Sequence, residues 1–256
     1  SLNQGCNKIY LGIGGSATHD FGSGIISALN GQFLDKKNKI LISGGGAISQ
    51  LNRIDLSVID QRIKKTKFIV ACDVSNPLLG NDGAAKTYAE QKGANPQMID
   101  QLEFAGKQFT KVILNQFGID VGSIKGGGAA GGVSAGLHGL LNAKLKNGFD
   151  LLADFIGVSD QINEMDLVIT GEGNFDNQSL FGKLPFKVAQ LTEPKKIPTL
   201  IMAGQTSMNR IPNMPHVKIF RTSPEKIPLE KALKNAPQNL EIKLYEILKQ
   251  FKIKKT

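Results

Sequence analysis

Acids that close apolar runs beside glycine are the first candidates for chemistry in this chain. Asp73 ends the run "FIVAC" and is followed by "VSNP". Glu172 and Asp176 follow "DLVIT" within "GEGNFDNQSLFGK", where Ser179 can cap a helix and Lys183 comes next. An acid just past a strand is placed where open α/β sheets take their ligands. Such an acid can accept a proton or hold a hard cation, and a nearby lysine can neutralise charge on a phosphoryl group. Asp also caps turns, and that structural role stands beside the chemical one for Asp73.

Glycine is the second signal. It accounts for 29 of 256 residues, against about 7% in ordinary proteins. The clusters fall at 12–15, 44–46, 126–132 and 171–173. Without a Cβ, the backbone can bring N–H groups up to an anion, and a following helix adds its N-terminal dipole. The loop "LGIGGSATHDFGSG" also fits G-x-G-x-x-A, through Gly12, Gly14 and Ala17. Asp35 lies at a plausible distance for a ribose-binding acid, but it heads the polar turn "DKKNK" instead of ending a strand. No Walker pattern occurs. His19 lies in the first glycine loop, His138 in an apolar helical stretch and His216 in a loop, and they form no triad with serine and acid.

These residues need elements to hold them. Short apolar runs alternate with helical patterns, which implies an α/β fold with a substantially parallel sheet. Strands are expected at residues 9–13, 67–74, 166–171, 197–204 and 216–220. Helices are expected at 22–29, 54–63, 95–117, 131–145, 180–191 and 240–251. A hairpin is expected at 31–43, with its turn at 35–38. A domain boundary is expected at about residue 161, where strand–helix–strand units become regular. The opening "SLNQGCNK" reads as a last helical turn with Gly5 after it, so sequence is expected upstream of Ser1.

Composition narrows the classes. Hydrophobic content of 41% and charged content of 21% are globular values, and the longest apolar runs are too short to span a bilayer. The net charge of +9 suits anionic ligands. Interspersed charges and 6% aromatics argue against nucleic acid, and a lysine-rich proteome explains the charge as well. Cys6 and Cys72 fit no metal spacing and suggest a reducing compartment, the cytoplasm.

"GIGGSATHD", "ACDVSNPLLGNDGAAKTYAEQKGA", "GGGAAGGVSAGL" and "DLVITGEGNFDNQSLFGKLPFKVA" together resemble the bacterial glycerate kinases of the first class, in order from about residue 8 to 204. The resemblance implies ATP- and Mg²⁺-dependent phosphorylation of D-glycerate to a phosphoglycerate. It implies two α/β domains, one Rossmann- or flavodoxin-like and built from both chain ends, the other a mixed α/β middle domain. Residues 1–160 would be the middle domain without its N-terminal part, and 161–256 the C-terminal half of the first domain. Catalysis is then expected of the longer protein. Gly14, Gly15, Ser16, Asp20, Asn76, Gly127, Gly128, Glu172 and Ser179 would bind substrate or phosphate. Asp73 would act as general base or metal ligand, Glu172 and Asp176 would hold Mg²⁺ or substrate hydroxyls, and Lys183 would stabilise the transferring group. The partners implied are a small acid and a nucleotide, without nucleic acid or membrane, with a homodimer as one arrangement.

Three positions depart from that family, which usually has Asn at His19, Gly at Phe21 and Arg at Asn174. Asn cannot supply a guanidinium's charged fork. A non-catalytic module that binds small acids and a dinucleotide-dependent oxidoreductase remain as alternative functions.

Overall fold

The computed structural model describes residues 1–249. The fold is mixed α/β with parallel sheets, in two compact units that divide between Leu151 and Leu152. The composition shift predicts a boundary later in the chain, at about residue 161.

The first unit contains β1 (Lys8–Gly12), α1 (Ser23–Ala28), β2 (Gln32–Leu34), β3 (Arg53–Asp55), β4 (Lys67–Ala71), α2 (Ala84–Tyr88), α3 (Pro96–Phe117), α4 (Ala129–Leu141) and β5 (Lys144–Lys146). The helix α5 (Gly148–Ile156) carries the division. β1, β4 and β5 form a parallel sheet in the order β1-β4-β5. One row runs through Gly12, Ala71 and Lys146, so the three strands end level. The core beneath is apolar, with Val70, Phe109, Ile113 and Leu137 each fully buried.

α3 follows its sequence signals. Asn95 caps it by accepting from the Met98 N–H at 2.9 Å, Pro96 opens it, and Gly118 at φ 70° closes it. The first residues also read correctly as a helical turn, a 3-10 turn over Leu2–Gln4 closed by Gly5 at φ 77°.

Elsewhere local polar chemistry overrides apolar spacing. Residues 54–63 do not form the expected helix. The Asp55 side chain accepts from the Ser57 N–H, Asp60 accepts from Arg62, and the segment becomes β3, a turn and a 3-10 helix over Gln61–Lys65. The expected hairpin at 31–43 is reduced to a single bridge, Leu34 to Ile40. β2 pairs instead with β3, which buries Phe33, Leu34 and Ile54 together. α4 begins at Ala129, but Ala130, Gly131 and Gly132 are left-handed, and Asn142 stops the helix before β5.

The second unit contains α6 (Val158–Asn163), β6 (Val168–Phe175), α7 (Leu184–Thr192), β7 (Thr199–Thr206), β8 (Val217–Arg221), α8 (Leu229–Lys234) and α9 (Ala236–Leu248). Its parallel sheet has the order β6-β7-β8. The expected strand at 166–171 runs on through the glycines to Phe175, and up to Gly173 it alternates half-buried with exposed because successive side chains leave opposite faces of the sheet. The expected helix at 180–191 divides into a 3-10 turn over Asn177–Phe181 and α7, parted at Gly182 with φ 106°. Within the expected closing helix, residues 250 and 251 lie outside the described residues.

Candidate active site

In the first unit, the level strand ends set three segments side by side. Gly14 lies two residues past the end of β1, Asp73 two past β4 and Gly148 two past β5. Asp73 is exposed, and its Oδ1 accepts from the Gly148 N–H at 2.7 Å. A Cβ at residue 148 would lie 2.8 Å from Asp73 Oδ2, so any other residue there would displace the carboxylate. Asn147 caps α5 through the N–H groups of Phe149 and Asp150, which fixes the backbone that holds Asp73.

The first glycine loop is open. Among the described residues, the N–H groups of Gly14, Gly15, Ser16 and Ala17 make no hydrogen bond. Lys92, which the reading of single residues passed over, donates to Ser16 Oγ at 3.0 Å and to the Thr18 carbonyl at 2.7 Å. Burial lowers the Lys92 pKa, and the Asp20 carboxylate partly offsets that. Its place in "AEQKGA" was the available signal. His19 is pushed down to about 4, first by burial and then by the Lys92 charge, with Asp20 opposing. It is therefore neutral at pH 7, and its Nδ1 is buried without a partner among the described residues. Free amides with a partly desolvated ammonium beside them suit an oxyanion.

Other candidates prove to be structural supports. Asp20 accepts from the N–H groups of Gly22 at 3.0 Å and Gly24 at 2.9 Å, so both its oxygens hold the start of α1. Asn76 accepts from the Tyr88 hydroxyl and donates to the Asp82 carbonyl. The expectation of a second amide cradle at Gly127 and Gly128 needs correction, because their N–H groups already donate to the carbonyls of Ile124 and Asn76. A Cβ at Gly128 would lie 2.4 Å from the Pro77 carbonyl oxygen, so Gly128 permits close packing on residues 76 and 77, while a Cβ at Gly127 would lie 2.7 Å from the Ile124 side chain. Cys72 donates to the carbonyls of Val74 and Gly126, and burial raises its thiol pKa, which disfavours a thiolate.

His19 and Phe21 sit where the loop packs on α4. The Phe21 N–H donates to the Gly131 carbonyl, and a Cβ at Gly131 would lie 2.5 Å from His19 Cα. Phe21 has φ 59°, a conformation glycine adopts freely. Here it is buried, with its ring stacked on Phe109 at 5.3 Å.

In the second unit, Glu172 lies on the same row as Ala203 of β7 and Arg221 of β8. The Lys183 ammonium stands 3.6 Å from Glu172 Oε2. Asp176 and Ser179 form a capping box, and Asp176 Oδ2 accepts from Asn174 Nδ2 at 2.8 Å. The Asp176 carboxylate is thus committed to the 3-10 turn. Among the described residues, no group of three acids, histidines or cysteines could hold a metal, and no helix is long and apolar enough to cross a membrane.

Level parallel strands with an acid, free amides and a lysine near their carboxyl ends define the class, an α/β protein whose polar groups gather where open sheets take their ligands. A family model described as the glycerate kinase family matches residues 1–252, and the chain belongs to that family. It is 37% identical over its whole length to the Glycerate kinase of Bacillus subtilis, and 40% identical over 80% of its length to the Glycerate 2-kinase of Escherichia coli. It spans 68% of the first relative and 54% of the second. The crystal structure of a Salmonella typhimurium protein assigned as glycerate kinase 2 superposes with a TM-score of 0.79 at 35% identity, over 96% of this chain and 64% of the other.

Proposed function

We propose that the protein is a glycerate kinase of the first class, transferring a phosphoryl group from ATP to D-glycerate. The observation that carries this reading is the row Gly12, Ala71 and Lys146, which brings the open amides of residues 14–17 and the Asp73 carboxylate to one edge of a single sheet. Relatives named glycerate kinase supply the substrate, and the Escherichia coli relative's name points to the 2-hydroxyl.

In this mechanism Gly14, Gly15, Ser16 and Lys92 bind an oxyanion group of glycerate or nucleotide. The Gly148 N–H holds one oxygen of Asp73, so the other is aimed to accept the proton of the attacking hydroxyl. Lys183, paired with Glu172, supplies positive charge for a phosphoryl group. Mg²⁺ fits single acids of this kind, because it keeps waters and takes one or two carboxylates alongside phosphate oxygens. Asp73 in the first unit or Glu172 in the second would hold it, each within its own unit, and its charge would neutralise that of the phosphates. Two free cysteines agree with a cytoplasmic setting.

The test is a coupled ADP-release assay with D-glycerate and Mg-ATP on the full-length protein, since this chain spans only part of its relatives. D-glycerate-dependent ADP release that Asp73→Asn abolishes supports the reading. Turnover at the parent rate in that variant removes Asp73 from the reaction.

A further inference from the structure

The carboxyl edge of the second unit's sheet pairs an unfilled donor with an unfilled acceptor. Glu172, Ala203 and Arg221 share one row of parallel strands, so their side chains leave the same face. The backbones of β6 and β8 lie about 10 Å apart, two strand spacings, with only the Ala203 methyl on the row between them. Asn174 and Gln205 form the next paired positions on that face.

Arg221 Nη2 donates to Gln205 Oε1 and to the Pro224 carbonyl. Among the described residues its Nη1 meets only Glu225, at 3.8 Å, and that carboxylate is mostly in solvent. Its Nε is buried with no partner among the described residues. Across the row, Glu172 Oε2 faces Lys183, while Oε1 is buried and also lacks a partner. Buried polar atoms left unpaired lose their hydration without return, and two of opposite kind on one row suit a ligand that carries both complements.

We infer that Arg221 and Glu172 form a binding site in which the guanidinium takes a carboxylate or phosphate and Glu172 accepts from a hydroxyl on the same molecule. A guanidinium presents a planar fork that matches either oxyanion. A hydroxy acid and a sugar phosphate share this chemistry, and the kinase reading identifies them as D-glycerate and the nucleotide. Lys183 adds positive charge beside the hydroxyl position.

The experiment is an ¹⁵N–¹H spectrum of the arginine Nε–H groups in the 256-residue chain, titrated separately with D-glycerate, ADP and sulfate. Arg221→Lys assigns the signal by deleting it. Arg53→Lys, Arg62→Lys and Arg210→Lys assign it by elimination if that variant does not fold. The Arg221 signal is expected to move with sulfate and with at least one of the other two ligands, and the responding ligand names the source of the oxyanion. Glu172→Gln is expected to weaken the hydroxyl-bearing ligand about tenfold and to leave sulfate unchanged. An Arg221 signal that none of the three moves at millimolar concentration overturns the proposal. Movement with sulfate alone keeps the oxyanion site and contradicts the hydroxyl role of Glu172, while the kinase reading is decided by the ADP-release assay. Movement with glycerate or ADP that Glu172→Gln leaves intact removes Glu172 from the site and preserves that reading.

Discussion

Asp73 is oriented by one hydrogen bond, from Gly148, and that bond defines what its replacement does. Asp73→Asn keeps the shape and removes the base, so kcat should fall about 10²- to 10⁴-fold, with the melting temperature near that of the parent. Steady-state kinetics and a thermal melt check this together. His19 gives a prediction in pH. The folded protein keeps it neutral down to about 4, whereas the unfolded chain protonates it near 6.5. Between those values the unfolded state binds the extra proton, so stability falls as pH drops from 6.5 toward 4. His19 therefore contributes a loss on the order of 3 kcal/mol at the acid end. His19→Asn should flatten that part of the stability–pH curve measured by urea unfolding. The place of Asp73 was legible in the sequence because an acid after an apolar run falls at a strand's carboxyl end, but whether it caps a turn or reacts was not. Lys92 and Arg221 were not, because a lysine after a helical stretch and an arginine closing a strand look like ordinary surface residues until the fold brings them to Ser16 and Gln205.

At the scale of elements, glycines that looked alike serve different ends. Those at 14 and 15 leave amides open, while those at 127 and 128 have theirs paired, and Gly128 lets two backbones meet. Gly128→Ala should accordingly lower the melting temperature by several degrees, since its Cβ would press on the Pro77 carbonyl and something must shift. An unchanged melting temperature with weaker ligand binding would instead assign Gly128 to the ligand. Phe21 trades backbone strain for packing. Phe21→Gly relieves about 1 kcal/mol of left-handed strain and gives up a buried aromatic worth about 3 kcal/mol or more. Chemical denaturation should show net destabilisation of about 2 kcal/mol. The α/β alternation, α3 and the strand β4 were legible because apolar runs and caps agreed there. β5 was not, because "KLK" is three residues long and mostly polar. Residues 54–63 misled because isoleucines at helical spacing coexist with Asx turns that stop a helix.

For the whole molecule, long motifs in the right order carried the family before any contact was known, and each unit alone places acids and cations at the carboxyl ends of parallel strands. The sequence could show that such residues exist but not which were committed elsewhere. Asp20, Asp176 and Ser179 look as reactive as Asp73, and only hydrogen bonding reveals them as caps. The central claim is that the amides of residues 14–17 receive an oxyanion beside Asp73. A backbone ¹⁵N–¹H titration of the chain with D-glycerate and with Mg-ADP tests it most directly. The signals of Gly14, Gly15 and Ser16 should move in a saturable way with at least one ligand, and those of Gly127 and Gly128 should move less. Amides at 14–16 that stay fixed at saturation, while others elsewhere respond, would contradict it.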